Sequence, residues 1–354
     1  MNATVADVAK KAGVSTMTVS RVINGGVGVR PETRRRVERA VAELDFVPNG
    51  VARGLMTRKS GTLGLIVPDI VNPFFTMVVH GAETVARRAG YRLLLCNSEA
   101  DLGQERQYVE HMISHRVEGL LIAPLGDRSK ANLALLERRK VPFVLIDRSV
   151  AGLKCDVVQG DSVTGARKLV GHLLSLGHKR VAVIIEPDDV SSARERLQGY
   201  REALKAAGVK FAPETIIRTT ADRAGGYAAM QQILELSPLP TAVFAVNNMT
   251  ALGAMQALRE RGLSVPNDIA LVCFDDVEHL AVLSPFLTVM NQPTETFGAL
   301  AAQLLLDRIK SDDKSPKRSI VLPTDLIVRE SCGAKAGLSG TRAGRNPSPP
   351  PGTR

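Results

Sequence analysis

From Thr62 onward, short unbroken apolar runs alternate with helix-length segments, and few folds accommodate that alternation. Apolar runs at 63–67, 91–96, 119–123 and 143–146 read as strands, separated by helices at 76–89, 104–115 and 130–139. The cycle restarts with a helix at 164–176, a strand at 180–185 and a helix at 195–207. A helix at 225–236, a strand at 242–245, a helix at 250–261 and a strand at 270–274 complete it. Strands without polar alternation are buried on both faces, as in parallel sheets covered by helices. Two such runs, 62–159 and 160–290, imply two similar lobes of an α/β core. Loops at the carboxyl ends of their strands are expected to face a shared cleft, where open α/β sheets bind ligands.

Charge divides the chain differently. The 354 residues carry a formal charge of +10. Residues 1–60 hold 11 Lys/Arg against 5 Asp/Glu, and residues 333–354 hold 4 basic and no acidic side chains. Residues 61–332 therefore balance at 31 of each sign. A basic head on a neutral body points to a polyanionic partner for the head. With 44% hydrophobic and 23% charged residues, a fibrous or wholly disordered chain is excluded. No apolar run approaches the ~20 residues of a membrane helix. The first residues lack the charged-then-apolar pattern of an export signal. Cys96, Cys155, Cys273 and Cys332 stand far apart with no C-x-x-C pair, so they read as reduced thiols of a cytoplasmic protein. No metal and no cofactor are expected.

Residues 4–22 read as two short helices around a turn. Thr4 caps the first with Asp7 as its capping-box partner, and Val5, Val8 and Ala9 share one face. Gly13 ends it, where a positive φ fits. Ser15 caps the second helix, whose inner face is Val19 and Val22, and Asn24-Gly25-Gly26 ends it. Pro31 opens a third helix at its first position, with Val37, Ala40, Val41 and Leu44 inward and Pro48 closing the segment. Residues 1–48 thus form a small all-α domain. Residues 49–60 are a connector whose helical stub, 51–56, is too short and, with Gly50 and Gly54 in or beside it, too costly to order alone. Order is expected to end after Arg329, and 333–354 reads as a disordered basic tail.

The run from Thr4-Val5-Ala6-Asp7-Val8-Ala9 to Thr18-Val19-Ser20-Arg21-Val22-Ile23-Asn24 closely resembles the helix-turn-helix of the lactose-repressor (LacI/GalR) family. Further resemblances follow in register: Arg30-Pro31-Glu32-Thr33-Arg34, Phe46-Val47-Pro48-Asn49, Pro68-Asp69-Ile70-Val71-Asn72-Pro73-Phe74-Phe75 and Ser175-Leu176-Gly177-His178-Lys179-Arg180. Phe274-Asp275-Asp276, Leu287-Thr288-Val289 and Asn291-Gln292-Pro293 complete a set that spans nearly all of residues 2–332. The resemblance implies a helix-turn-helix head on a two-lobe core like the type I periplasmic sugar-binding proteins, with parallel sheets. Lobe 1 would comprise about 61–159 and 293–319, and lobe 2 about 160–292 and 320–330.

For the head, the resemblance makes Thr16 and Met17 base readers, Met17 being suited to a thymine methyl, and Arg21 a reader of guanine. Ser15, Thr18, Ser20 and Asn24 become phosphate anchors. Of Arg34, Arg35, Arg36 and Arg39, at most one is expected to touch DNA. In this family the connector folds into a hinge helix on operator DNA, and a leucine from each subunit wedges into the minor groove. Leu55 occupies that place, with Ala52 and Arg53 beside it.

For the core, the resemblance implies an effector site with a polar ring of Asp147, Arg196, Asn247, Asp275 and Gln292. Phe74 or Phe75 would cover an apolar sugar face. Asp161 reads as a helix cap. Ala221 stands where many relatives carry an aromatic, and Asn247-Asn248 replaces the commoner Asn-Asp. The resulting expectation is a cytoplasmic, nucleoid-associated homodimer that represses transcription from double-stranded, pseudo-palindromic operator DNA under control of a sugar-like effector. A solute-binding protein would leave 1–60 unexplained. An α/β enzyme would need a phosphate loop, a G-x-S-x-G elbow or an H-E-x-x-H helix, and the sequence carries none of these.

Overall fold

The computed structural model describes residues 3–23, 28–46, 60–276, 286–310 and 315–334. The chain divides into two compact units between Gly61 and Thr62, where the charge pattern also changes.

The first unit contains three helices, α1 (Val5–Ala12), α2 (Thr16–Ile23) and α3 (Pro31–Glu43). Val8, Ala12, Val19, Val22, Val37 and Phe46 meet in its small core. Asp7 N donates to the Thr4 hydroxyl at 3.3 Å, and Thr4 N donates to the Asp7 carboxylate at 2.9 Å, closing the capping box. Gly13 sits at φ 63°. Arg36 on α3 donates to the carbonyls of Ala12 and Gly13, each at 3.1 Å. Its guanidinium thus satisfies carbonyls that the end of α1 leaves free, and it ties α3 to the turn. Lys11 and Glu43, 2.8 Å apart, form a second, exposed tie.

In the second unit the described strands are β1 (Thr62–Val67), β2 (Arg92–Asn97), β3 (Gly119–Ile122), β4 (Phe143–Ile146), β5 (Asp156–Gly160), β6 (Val181–Ile185), β7 (Ile216–Arg218), β8 (Ala242–Ala245), β9 (Ala270–Phe274), β10 (Thr288–Asn291), β11 (Ser319–Leu322) and β12 (Asp325–Ile327). They build two sheets, ordered β11-β5-β4-β3-β1-β2 and β12-β10-β9-β8-β6-β7. All pairings are parallel except β10 with β12. Leaving aside β11 and β12, each lobe has the same order, β2-β1-β3-β4-β5 and β7-β6-β8-β9-β10. The order reverses between β1 and β3 and again between β6 and β8, and such a reversal opens a crevice at the strands' carboxyl ends. Apolar clusters lie on both faces of each sheet, which explains the unbroken apolar strands.

Three expectations need correction. The chain returns to lobe 2 after Leu322, not at 320: Ile320, Val321 and Leu322 pair with Val158, Gln159 and Gly160 in the lobe 1 sheet. Order does not end after Arg329. Ser331 Oγ donates to Leu271 O at 2.6 Å and accepts from Thr288 N at 2.8 Å, and Cys332 is fully buried. Ser331 thereby satisfies backbone groups at the rim of the lobe 2 sheet, which anchors the segment. Helices also start earlier than their apolar pattern suggests: 76–89 is Pro73–Arg88, capped by Asn72, and 195–207 is Ser191–Ala206. The connector residues 47–59 and the tail residues 335–354 lie outside the described residues, as does Pro48. No described helix is long and apolar enough to cross a membrane.

The chain passes from lobe 2 back to lobe 1 between Asn291 and Thr294, and the helix Thr294–Lys310 then packs on Pro73–Arg88. Two glycines permit the approach. A Cβ on Gly298 would lie 1.9 Å from Val78 O, and one on Gly81 2.0 Å from Glu295 O. Gly171, in the helix Ser162–Ser175, would meet nothing within 4 Å. Gly298→Ala is therefore expected to lose about 1–3 kcal/mol in urea unfolding, whereas Gly171→Ala gains about 0.5–1 kcal/mol from the less flexible unfolded chain. Equal effects of the two substitutions would refute this packing.

Candidate nucleic-acid interface and ligand cleft

On α2, Val19 and Val22 turn inward and are buried, while Thr16 at the helix start and Met17 and Arg21 on the outer side are exposed. Met17 is 65% exposed, an apolar side chain presented to solvent on a helix's first turn. Ser15 Oγ accepts from Thr18 N at 3.2 Å and lies 2.9 Å from Thr18 Oγ1, so both hydroxyls already serve the helix start. Ser20 is half-buried. Arg36 is committed to the turn, which removes it from the arginines available to a ligand. Asn24, Ala52, Arg53 and Leu55 lie outside the described residues.

In the second unit a cavity of about 320 Å³ opens between the lobes. Its lobe 1 wall includes Asp69, Asn72 and Phe75 beyond β1, Arg128 beyond β3 and Arg148 beyond β4. Its lobe 2 wall includes Glu186 beyond β6, Thr220 and Asp222 beyond β7, and Asn247 beyond β8. Asn72, Asp222 and Asn247 each cap the helix that follows, accepting from Phe74 N (3.0 Å), Gly225 N (2.6 Å) and Thr250 N (2.8 Å). Three helix starts therefore converge on the cavity, each with an oxygen-bearing side chain at its tip. Asn247 Nδ2 donates to Ala221 O at 2.9 Å, fixing the amide's orientation.

A buried polar cluster accompanies this wall. Asp147 and Asp275 occupy the same place in their lobes, immediately after β4 and β9, and both sit in the left-handed region (φ 67° and 66°). Asp147 N donates to Val158 O at 2.8 Å, and Asp275 N to Met290 O at 3.0 Å. Non-glycine residues rarely hold this conformation, and such strain concentrates at functional sites. Asp275 accepts from Gln292 Nε2 at 2.6 Å. Burial pushes the Asp275 carboxyl up to about 6. Arg196 and Gln292 pull against that shift, while Asp147 and Glu186 add to it. Arg196 donates to Val246 O at 2.7 Å, and its guanidinium stands 4.2 Å from the Phe274 ring centre. It makes no ion pair with Asp275. Arg196 Nε and Gln292 Oε1 are buried without a hydrogen-bond partner in the chain.

Arg148 joins the lobes. Its Nη2 donates to Glu186 Oε1 at 2.9 Å, and its Nε lies 3.3 Å from Asp147 Oδ2. Burial works against the guanidinium's charge, but Glu186 and Asp147 outweigh it and raise the pKa.

Of the expected effector residues, Phe75 and Asn247 line the large cavity. Asp147, Arg196, Asp275 and Gln292 are buried in the polar cluster. Phe74 is placed differently. It packs edge-on against Phe75 (centres 5.0 Å apart) and Phe297 (6.0 Å), and it borders a separate cavity of about 100 Å³ shared with Asp275 and Asn291. Asp161 caps its helix, accepting from Thr164 N at 3.0 Å. Arg148 and Glu186 were not expected. Glu186 directly follows β6 and Arg148 stands one residue beyond Asp147, so the rule that points to Asp147 also points to their loops.

Residues 4–49 match the family described as bacterial regulatory proteins, lacI family, and residues 170–332 match a periplasmic binding protein-like domain. The chain is 36% identical over 332 residues to the HTH-type transcriptional repressor PurR of Aliivibrio fischeri (strain MJ11), covering 93% of this chain and 98% of that protein. It is also 36% identical, over 329 residues, to the ribose operon repressor of Haemophilus influenzae, with the same coverage of 93% and 98%. The crystal structure of the Lac repressor dimer bound to operator and the anti-inducer ONPF aligns with a TM-score of 0.80 at 29% identity, covering 94% of this chain and 99% of that one.

A carboxyl whose pKa rises on folding stabilises the fold below its unfolded value, and that stability is lost as pH climbs through the folded value. For Asp275 the window runs from about 4 to about 6. Asp275→Asn keeps the acceptor for Gln292 and removes the charge. It is expected to be more stable than the parent at pH 7.5, by up to about 3 kcal/mol, and to match it near pH 4. A gap independent of pH in thermal melts would contradict the assignment.

Proposed function

The chain belongs to the lacI family of bacterial regulatory proteins, and from that premise we propose that it is a cytoplasmic homodimer that represses transcription from a pseudo-palindromic operator. Residues 4–49 bind the duplex, and a small polyhydroxylated effector in the interlobe cavity sets their affinity. On this reading Thr16, Met17 and Arg21 meet base edges, while Ser15, Thr18 and Ser20 lie against phosphates. Phe75, Asn247 and the buried cluster of Asp147, Arg196, Asp275 and Gln292 form the effector site. The observation that carries the DNA part is the division of α2: two valines close the core, and Thr16, Met17 and Arg21 are exposed. The effector part is supported by orphaned polar atoms on Arg196 and Gln292, which a hydroxyl-bearing ligand or water can satisfy. Effector occupancy changes lobe closure, and lobe closure changes DNA affinity, a coupling through one two-state element.

The test starts from footprinting on genomic fragments to define the operator. Arg21→Ala is then expected to lower operator affinity by about 5- to 150-fold, equivalent to the 1–3 kcal/mol of a base contact. Affinity for random duplex should fall far less, with unchanged circular dichroism. An equal loss on both duplexes would reduce Arg21 to a phosphate contact.

A further inference from the structure

The positive charge bordering the interlobe cavity is already paired within the protein. Among the described residues two arginines border the cavity, and both are engaged. Arg128 Nε lies 2.5 Å from Asp189 Oδ2. Arg148 is held by Glu186 across the cleft and by Asp147 beside it, one cation between two carboxylates. Arg196, in the neighbouring buried cluster, stacks on Phe274 and donates to a carbonyl. On the acidic side, Asp69, Glu99 and Asp222 border the same cavity, and none of them forms an ion pair among the described residues. Among the described residues the wall is therefore rich in hydrogen-bond acceptors, its three helix starts are already capped by Asn72, Asp222 and Asn247, and no lining cation is left unpaired to neutralise an incoming anion.

We propose that the Arg148–Glu186 ion pair makes this cavity selective for an uncharged polyhydroxylated ligand against the phosphorylated form of the same ligand. The inference rests on the reading of the cavity as the effector site and adds its charge selectivity. Hydroxyl groups donate to Asp69, Glu186 and Asp222 without changing the charge of the site. A phosphate in the same place faces those carboxylates with no unpaired guanidinium among the described lining residues, because Glu186, with Asp147, withholds that of Arg148. Burying an unpaired charge beside like charges is strongly unfavourable. Glu186 is thus a specificity-determining residue that works by occupying Arg148.

The experiment is isothermal titration of the full-length protein with three matched pairs: ribose and ribose 5-phosphate, glucose and glucose 6-phosphate, fructose and fructose 6-phosphate. At least one neutral sugar is expected to bind, with its phosphate weaker by more than about 100-fold, since like-charge juxtaposition costs several kcal/mol. In Glu186→Gln, which removes one of the two carboxylates that hold Arg148 while keeping an acceptor, that gap is expected to narrow at least about tenfold. A phosphorylated sugar that binds the parent more tightly than its neutral partner overturns the inference and leaves the effector reading standing. An unchanged gap in a Glu186→Gln protein that still melts cooperatively also overturns it. Should that variant not fold, the comparison within the parent protein decides. If no member of any pair binds, the sugar-effector reading falls, and this inference falls with it.

Discussion

A guanidinium that leaves one lobe and finds its main partner in the other governs the core of this molecule. Arg148 and Glu186 are both nearly fully buried, so each would carry a desolvation penalty of several kcal/mol without the other. Their pairing ties the carboxyl end of β4 to that of β6. Arg128–Asp189 and Arg194–Asp127 add ties at the more exposed rim, where water screens them and each is worth little. Moving the lobes apart means separating the buried pair, and a ligand that competes for either partner alters the balance. That is the kind of element through which occupancy of a cleft can act at a distance.

The two lobes solve one placement problem twice. Each runs its first five strands in the order 2-1-3-4-5, and each puts an aspartate in left-handed backbone directly after its fourth strand. Asp147 and Asp275 then find different neighbours: a guanidinium for the first, and Gln292 with a nearby Arg196 for the second. The same backbone geometry therefore yields carboxyls in two different electrostatic settings. The cavity is built from the strand ends and helix starts that this geometry gathers.

Much of this was legible because burial on both faces writes itself as unbroken apolar runs. β4, β8 and β9 stand where their Val, Leu, Phe and Ala residues predict. β5, β7, β11 and β12 are less legible, because polar residues interrupt their apolar pattern: Asp156, Gln159, Arg218, Ser319 and Asp325. Asp156 is tolerated in a strand because Arg308 comes from the distant helix Thr294–Lys310, bonding it at 2.7 and 3.0 Å, and Arg318 N donates to it at 2.7 Å. No local pattern announces that partner. Helix starts shifted for a related reason: Phe74-Phe75 and Ser191-Ser192-Ala193 are buried by tertiary contacts rather than by periodicity. In the site, Asp147, Asn247 and Asp275 follow strand ends and could be named from the sequence. Which of Phe74 and Phe75 faces the cavity could not be named, because Phe297 decides it. In the head, the capping box, the Gly13 turn and Pro31 were all local signals, and all were met. Arg36 looked like one more solvated arginine until α3 placed it against the carbonyls that end α1.

In the proposed function, one chain couples a cleft for a small ligand to a helical unit for DNA. The most direct measurement is a closed thermodynamic cycle: anisotropy titration of the footprinted operator with and without saturating ligand, and calorimetric titration of the ligand with and without operator. The account predicts that ligand and DNA change each other's dissociation constant by the same factor, about 5- to 150-fold. An operator affinity that stays the same at saturating ligand would contradict it.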